Sequence, residues 1–303
     1  MGSNPTPSAI RQERSALVLA DVIGCLVCTH CGGELALAEA GRTIRCDAGH
    51  SFDVARQGYA SLLPGDAHTG TADTAEMVAA REAFLAAGHY EPLAEAVAGT
   101  LNRVLPDSVP GCVAEVGAGT GYYLARALDR LPDRTGIALD ISKPALRRAA
   151  RVHPRIGAVA CDVWRGLPLR SGSVAALLDV FSPRNPAEFH RVLTPDGVLV
   201  VVTPDRDHLA ELVGALDLVR VDAEKEDRLA SQFATGFGLL ESNRVQHPLE
   251  LSRSDALTLI AMGPSSRHSD PEELATRLDA FDEPVRTRLS VTIAVYRSSP
   301  KQG

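Results

Sequence analysis

Four of the six cysteines fall between positions 25 and 46, and this clustering constrains the first sixty residues more than any other feature. Cys28-Thr-His-Cys31 is followed after 14 residues by Cys46-Asp-Ala-Gly-His50, a C-x2-C…C-x3-H pattern. Two cysteines around a tight turn present both thiolates to one ion, and zinc takes four such ligands in a tetrahedron. The set Cys28, Cys31, Cys46 and His50 fills that tetrahedron and leaves no position for water, so the site is expected to be structural. A module of about forty residues has too little core to fold alone, and the metal supplies the missing stability. Cys25 and His30 stand close enough in sequence to be alternative ligands. A redox C-x2-C is the weaker reading, because it normally sits at a helix start. Cys112 and Cys161 stand apart in apolar runs and read as core residues.

The text around this module sets expected boundaries. Residues 1–24 form an N-terminal extension ending in a short helical stretch, 25–65 the zinc-binding module, 66–107 a helical linker and 108–303 a catalytic domain. In the linker, Met77, Ala80, Phe84 and Leu85 recur at helical spacing, Gly88 interrupts, and Leu93, Val97, Leu101 and Val104 resume. From 112 onward short β-rich runs (113–116, 136–140, 158–163, 174–181, 198–203) alternate with helical segments. That alternation predicts a parallel sheet with helices on both faces, an α/β fold. Toward the C-terminus, 242–251 and 288–298 read as antiparallel strands flanking a helix near 255–262.

The first catalytic-domain strand runs into Glu115-Val-Gly117-Ala-Gly119-Thr120-Gly121 and then a helix. The spacing is G-x-G-x-G rather than the dinucleotide fingerprint, because Tyr122 stands where a third-position glycine would fall. Glycines let the backbone pass close under a ligand at the sheet's C-terminal edge. S-adenosylmethionine ends in an amino acid rather than a pyrophosphate, and an acid at Glu115 suits its ammonium group. The second strand ends in Asp140, placed to accept two ribose hydroxyls. The third ends near Asp162, which reads either as an adenine contact or as a turn cap. Together these features predict a class I, Rossmann-like S-adenosylmethionine methyltransferase domain behind a zinc-ribbon-like module.

The sequence resembles the 23S rRNA guanine-N1 methyltransferases, with most likeness to the tylosin-resistance branch. The resemblance rests on the zinc motif, FDVARQGYASLLP (52–64), AEMVAAREAFLAAGHYEPL (75–93), the loop with its double tyrosine, LDISKPAL (139–146), DVFSPRNPAEFHRVLTPDG (179–197) and VVTPDRDHLAEL (201–212). It covers nearly the whole chain after residue 25. It implies methylation of N1 of a guanine in a 23S rRNA hairpin loop near the peptide exit tunnel, with macrolide resistance as the consequence. It also implies that Tyr90 lies against the cofactor, Gly119 and Thr120 under its methionine portion, and His208 at its edge. Two departures stand out: Ala118 and Thr120 occupy loop positions where cysteine and glutamate are frequent, and 264–268 lack an aromatic-rich stretch.

Guanine N1 carries a proton at neutral pH, so a carboxylate or polarised water is expected to help remove it. Asp179 and Asp205 end the fourth and fifth strands and are the candidate bases. Arg184 or Asn185 of the following turn is a candidate to hold the base, which must be splayed or flipped out to be reached. The net charge of −7 gives no global attraction to RNA. Phosphate contacts would fall on Arg56, Arg81, Arg147, Arg148, Arg151 and Arg155, although a solvated helix face explains such a run equally. No run approaches the ~18 apolar residues of a membrane span, and the N-terminus lacks signal-peptide features. A cytoplasmic protein with no membrane partner is expected. A homodimer would widen the RNA cleft, but no sequence feature requires one. A small-molecule methyltransferase and a non-catalytic RNA-binding protein of the same fold are the competing readings.

Overall fold

The computed structural model describes residues 18–67, 70, 72–216, 233, 236–263 and 270–299. The extension before residue 18 and the 264–268 segment lie outside the described residues. An eight-stranded sheet organises the molecule. Strands β1 (Leu35–Ala38), β2 (Thr43–Cys46) and β3 (Ser51–Asp53) form a separate antiparallel ribbon, and β4 (Tyr59–Ser61) follows. Helices α1 (Ala75–Ala86) and α2 (Glu91–Val104) make the linker. The catalytic domain continues as β5 (Cys112–Val116), α3 (Tyr122–Arg130), β6 (Gly136–Asp140), α4 (Lys143–Val152), β7 (Ile156–Ala160), β8 (Val174–Val180), α5 (Pro186–Val192) and β9 (Leu193–Pro204). It ends with α6 (Ala210–Leu216), β10 (Phe237–Leu251), α7 (Arg253–Ala261), α8 (Pro271–Leu278) and β11 (Val285–Ser298).

The sheet order is β10-β11-β9-β8-β5-β6-β7-β4, with β10 and β11 antiparallel and the other six strands parallel. Connections run outward from β5 through β6 and β7, then restart at β8 and run the other way. That reversal opens a crevice between the C-terminal ends of β5 and β8, where ligands settle in doubly wound sheets. The central strands β5 to β8 are buried on both faces, which explains their nearly continuous apolar text.

Alternate residues divide between two cores. Val198, Val200 and Val202 join Leu93, Val97, Leu124 and Leu146 of the helices, whereas Leu199 and Val201 lie on the opposite face. On that second face the core runs continuously into the cysteine-bearing module, through Leu26, Ile44 and Phe52. Backbone bonds reinforce the junction: Val27 N–H donates to Pro168 O at 3.0 Å and Arg170 N–H to Cys25 O at 2.8 Å. Within the expected 25–65 module, β4 pairs parallel with β7 of the catalytic domain in the register Tyr59↔Ala158, Ala60↔Val159, Ser61↔Ala160. The module thus contributes the edge strand of the catalytic sheet. Among the described residues no helix is long and apolar enough to cross a membrane.

Gly88 separates α1 from α2 at φ +84°, as the interrupted periodicity predicts. Thr74 starts α1 by accepting Met77 N–H at 3.3 Å. The strand expected over 158–163 is shifted to β7, whose last residue is Ala160. Asp162 caps a 3-10 turn beyond it.

Candidate active site and metal centre

The ligand atoms of Cys28, Cys31, Cys46 and His50 lie within 4.8 Å of one another. Cys31 and Cys46 sulfurs are 3.7 Å apart, and His50 Nδ1 is 3.5 Å from Cys28 Sγ and 3.3 Å from Cys46 Sγ. A tetrahedron with Zn–S bonds near 2.3 Å has S···S edges of ~3.8 Å, so the four groups fit zinc. Three thiolates and an imidazole are also zinc's preferred donor chemistry. The two alternative ligands point elsewhere. Cys25 Sγ approaches Ser173 O at 3.9 Å beside Cys112. The exposed His30 ring stacks on Phe52, with centroids 5.6 Å apart and planes at 14°, and lies beside the His50 ring at 4.9 Å.

Two adjoining cavities occupy the crevice, of about 350 and 490 Å³. Tyr90, Glu115, Gly119, Thr120 and His208 line the first; Asp140 and Asp162 line the second. Arg81, Gly117, Phe181 and Met262 line both and mark the junction. Gly121 lines neither and caps α3 at φ +77°. Gly117 has φ +58°, and a Cβ there would fall 2.4 Å from Ser182 Cβ, so only glycine lets the loop cross the β8 turn.

Asp140 organises the floor of the second cavity. Its Oδ2 accepts Gly119 N–H at 2.8 Å and its Oδ1 accepts Ser142 N–H at 2.7 Å. Each oxygen retains a second acceptor site, as a pair of ribose hydroxyls requires. Burial raises its carboxyl above the ordinary aspartate value. Asp162 accepts Trp164 N–H at 3.0 Å, the turn cap of the sequence reading, and it also lines the second cavity. Glu115 is 1% exposed and accepts Leu124 N–H at 3.1 Å. Burial, with Asp140 and Asp179 nearby, pushes its carboxyl well above the usual range, which suits a partner that carries positive charge. The glycine cradle, the acid at its base and the Asp140 oxygens fit S-adenosylmethionine.

Tyr90 is 3% exposed, meets Phe84 edge-on, and places its hydroxyl 3.5 Å from His208 Nε2. Burial raises its phenol. Ser290 N–H donates to His208 Nδ1 at 3.2 Å, which puts the imidazole proton on Nε2. Burial lowers the imidazole to about 4, so it is neutral at physiological pH.

The candidate bases do not face the cavities. Asp179 is wholly buried beneath the β8 end, with Arg184 Nε 3.6 Å from its Oδ1. Burial raises its carboxyl to about 7. Asp205 accepts from Arg244 Nε at 2.8 Å, Ser290 Oγ at 3.0 Å and Thr292 Oγ1 at 2.7 Å, tying β9 to β10 and β11. Arg184 is turned inward. Asn185 accepts Glu188 N–H and donates to Val163 O, so neither side chain is free to hold a base.

Two junction residues lay outside the cofactor set read from sequence. Arg81 pairs with Asp73 at 2.7 Å and donates to Met262 O at 3.0 Å, so both of its terminal nitrogens are engaged across the cleft. Phe181 had no assigned role; the signal was an aromatic after the acid at a strand end.

The comparisons with known proteins agree with this geometry. Residues 26–69 match the family described as RlmA, N-terminal, a zinc ribbon, and residues 113–197 match a methyltransferase domain family. A protein of Micromonospora griseorubida named for 23S rRNA (guanine-N1) methylation is 50% identical, over 91% of this chain and 98% of its own. The 23S rRNA (guanine(748)-N(1))-methyltransferase of Streptomyces fradiae is 49% identical, over 92% of this chain and 99% of its own.

Proposed function

Because this chain belongs to the 23S rRNA (guanine-N1)-methyltransferases, we propose that it methylates N1 of one guanine in a hairpin loop near the peptide exit tunnel, giving macrolide resistance of the tylosin type. The observation that carries this reading is the near-full-length identity to the guanine-748 enzyme of Streptomyces fradiae. Its place of action is the cytoplasm, where ribosomal RNA is made and assembled.

S-adenosylmethionine supplies a methyl group on an activated sulfonium, so the chain's own work is chiefly orientation. Asp140 would hold the ribose and Glu115 the ammonium, with Tyr90, Gly119, Thr120 and His208 enclosing the remainder. Gly117 and Gly121 shape the loop, and Asp162 borders the adenine end. Cys28, Cys31, Cys46 and His50 would hold zinc and fix the module on the sheet. The N1 proton is lost to solvent water at the cleft mouth, since Asp179 and Asp205 are committed to Arg184 and Arg244.

Purified protein incubated with labelled S-adenosylmethionine and unmodified 23S rRNA should yield a single 1-methylguanine, located by mass spectrometry of nuclease fragments. Label in a different nucleoside, or none in RNA while a small metabolite is alkylated, would overturn the reading.

A further inference from the structure

The turn after β8 contains a feature that cofactor binding leaves unexplained. Phe181 is a bulky residue at φ +55°, in the left-handed region that favours glycine. The residue is 40% exposed, whereas those before it on β8 are buried. It lines both cavities and leans on His208, with centroids 5.9 Å apart and planes at 36°.

The surroundings hold this conformation in place. Phe181 N–H donates to Val202 O at 3.2 Å. Ser182 is pressed against the glycine loop at Gly117, as described above. Arg184 folds back onto buried Asp179, and Asn185 caps α5. The turn's charged and amide side chains thus all point inward, and its one large apolar ring faces the cleft. Strain that is over-determined in this way is characteristic of ligand sites. Cofactor-sized apolar surface does not need it, because Tyr90, Leu85 and Leu212 already line that wall. With the ribose on Asp140 in one cavity and the amino acid end on Glu115 in the other, the methyl-bearing sulfur between them falls at the junction of the two, where the acceptor must reach it. An extruded base brings a flat π-face and has lost its stacking neighbours.

We propose that Phe181 is the platform on which the target guanine stacks while its N1 is methylated. The assignment rests on the reading above, that the acceptor is an RNA guanine. Stacking of a base on an aromatic ring is sequence-tolerant, so Phe181 supplies affinity and alignment while other groups select guanine.

The test begins with the wild-type enzyme on a 23S rRNA hairpin fragment containing the guanine mapped in full-length rRNA. Phe181→Ala, Phe181→Tyr and Phe181→Gly are then compared on that fragment and on one abasic at the target nucleotide. Phe181→Ala should bind S-adenosylmethionine as wild type does by calorimetry, with kcat/KM for RNA down about 10–100-fold. Phe181→Tyr should recover most of the loss. The affinity defect of Phe181→Ala should vanish on abasic RNA. Phe181→Gly should melt at or above the temperature of Phe181→Ala, because glycine relieves the strain, yet be equally poor on RNA. The proposal is overturned if Phe181→Ala keeps wild-type kcat/KM. It is also overturned if cofactor affinity falls in proportion to activity, which would make the ring a cofactor contact, or if abasic RNA shows the same defect. A wild-type enzyme that methylates no RNA overturns the acceptor reading and this assignment together, and does so before any substitution is made.

Discussion

His208 is kept as a neutral donor by its surroundings: Ser290 N–H occupies Nδ1, and burial holds the ring to about 4 against an ordinary 6.5. The unfolded chain therefore binds a proton that the folded one resists. The stability linked to this group is fully present above pH 6.5 and is lost as pH falls toward 4. His208→Asn should melt with a shallower dependence on pH across that interval than wild type, followed by circular dichroism; equal slopes would show that the ring is not buried neutral. Asp205 offers a second check. As a tether it gives Asp205→Asn a melting temperature about 2–6 °C lower, from weakened charge-assisted bonds, with turnover within about threefold of wild type. If turnover instead drops by about a hundredfold or more, the contribution of a general base, Asp205 returns to the chemistry. At this scale the sequence was readable where a residue's role is local to a strand end. Glu115 and Asp140 line the cavities as their places after β-rich runs indicate. The bond from Arg81 across the cleft was not legible, because its acceptor Met262 is 181 positions away. Phe181 closes an apolar run that reads as core, and no residue type announces a positive φ for phenylalanine.

The three residues of β4 change what the zinc module is. The sequence separates module from enzyme near residue 65, because a ligand cluster and a following helical linker look like a unit and a spacer. A three-residue strand leaves no periodic signal, and its partner Ile156–Ala160 is nearly a hundred positions away. Yet Ala60 and Leu62 are fully buried, and their loss would bare an edge of the main sheet. A chain beginning at residue 66 should therefore be destabilised and aggregate through the open β7 edge, seen as light scattering below the melting temperature of the full chain. If the shortened chain stays monomeric with an unchanged melting curve, β4 is an ornament rather than part of the sheet. The other elements were legible from their text: α1 and α2 from helical spacing broken at Gly88, and β5 to β9 from alternation with amphipathic helices. The C-terminal strands were seen but are longer than their apolar stretches, because β10 is largely exposed and is held by pairing with β11.

Across the whole molecule, alternation predicts the parallel sheet and its crevice, and the cysteine pattern predicts the metal centre. What a linear text hides is that both converge on one sheet, whose second face is roofed partly by the zinc ribbon. Packing at that scale depends on which faces meet, and apolar residues carry no label for their partner. The shared sheet has a consequence in time. During synthesis Ser61 leaves the ribosome about 95 residues ahead of Ile156, the start of the strand it must flank. At ordinary elongation rates that interval is roughly 5–20 s. Throughout it the nascent chain carries an unmated β-segment tethered to a ribbon that needs its ion to hold shape. Loading the metal while the chain is still being made then protects against neighbouring nascent copies on the same message, and the order of events in translation becomes part of how this enzyme reaches its native state.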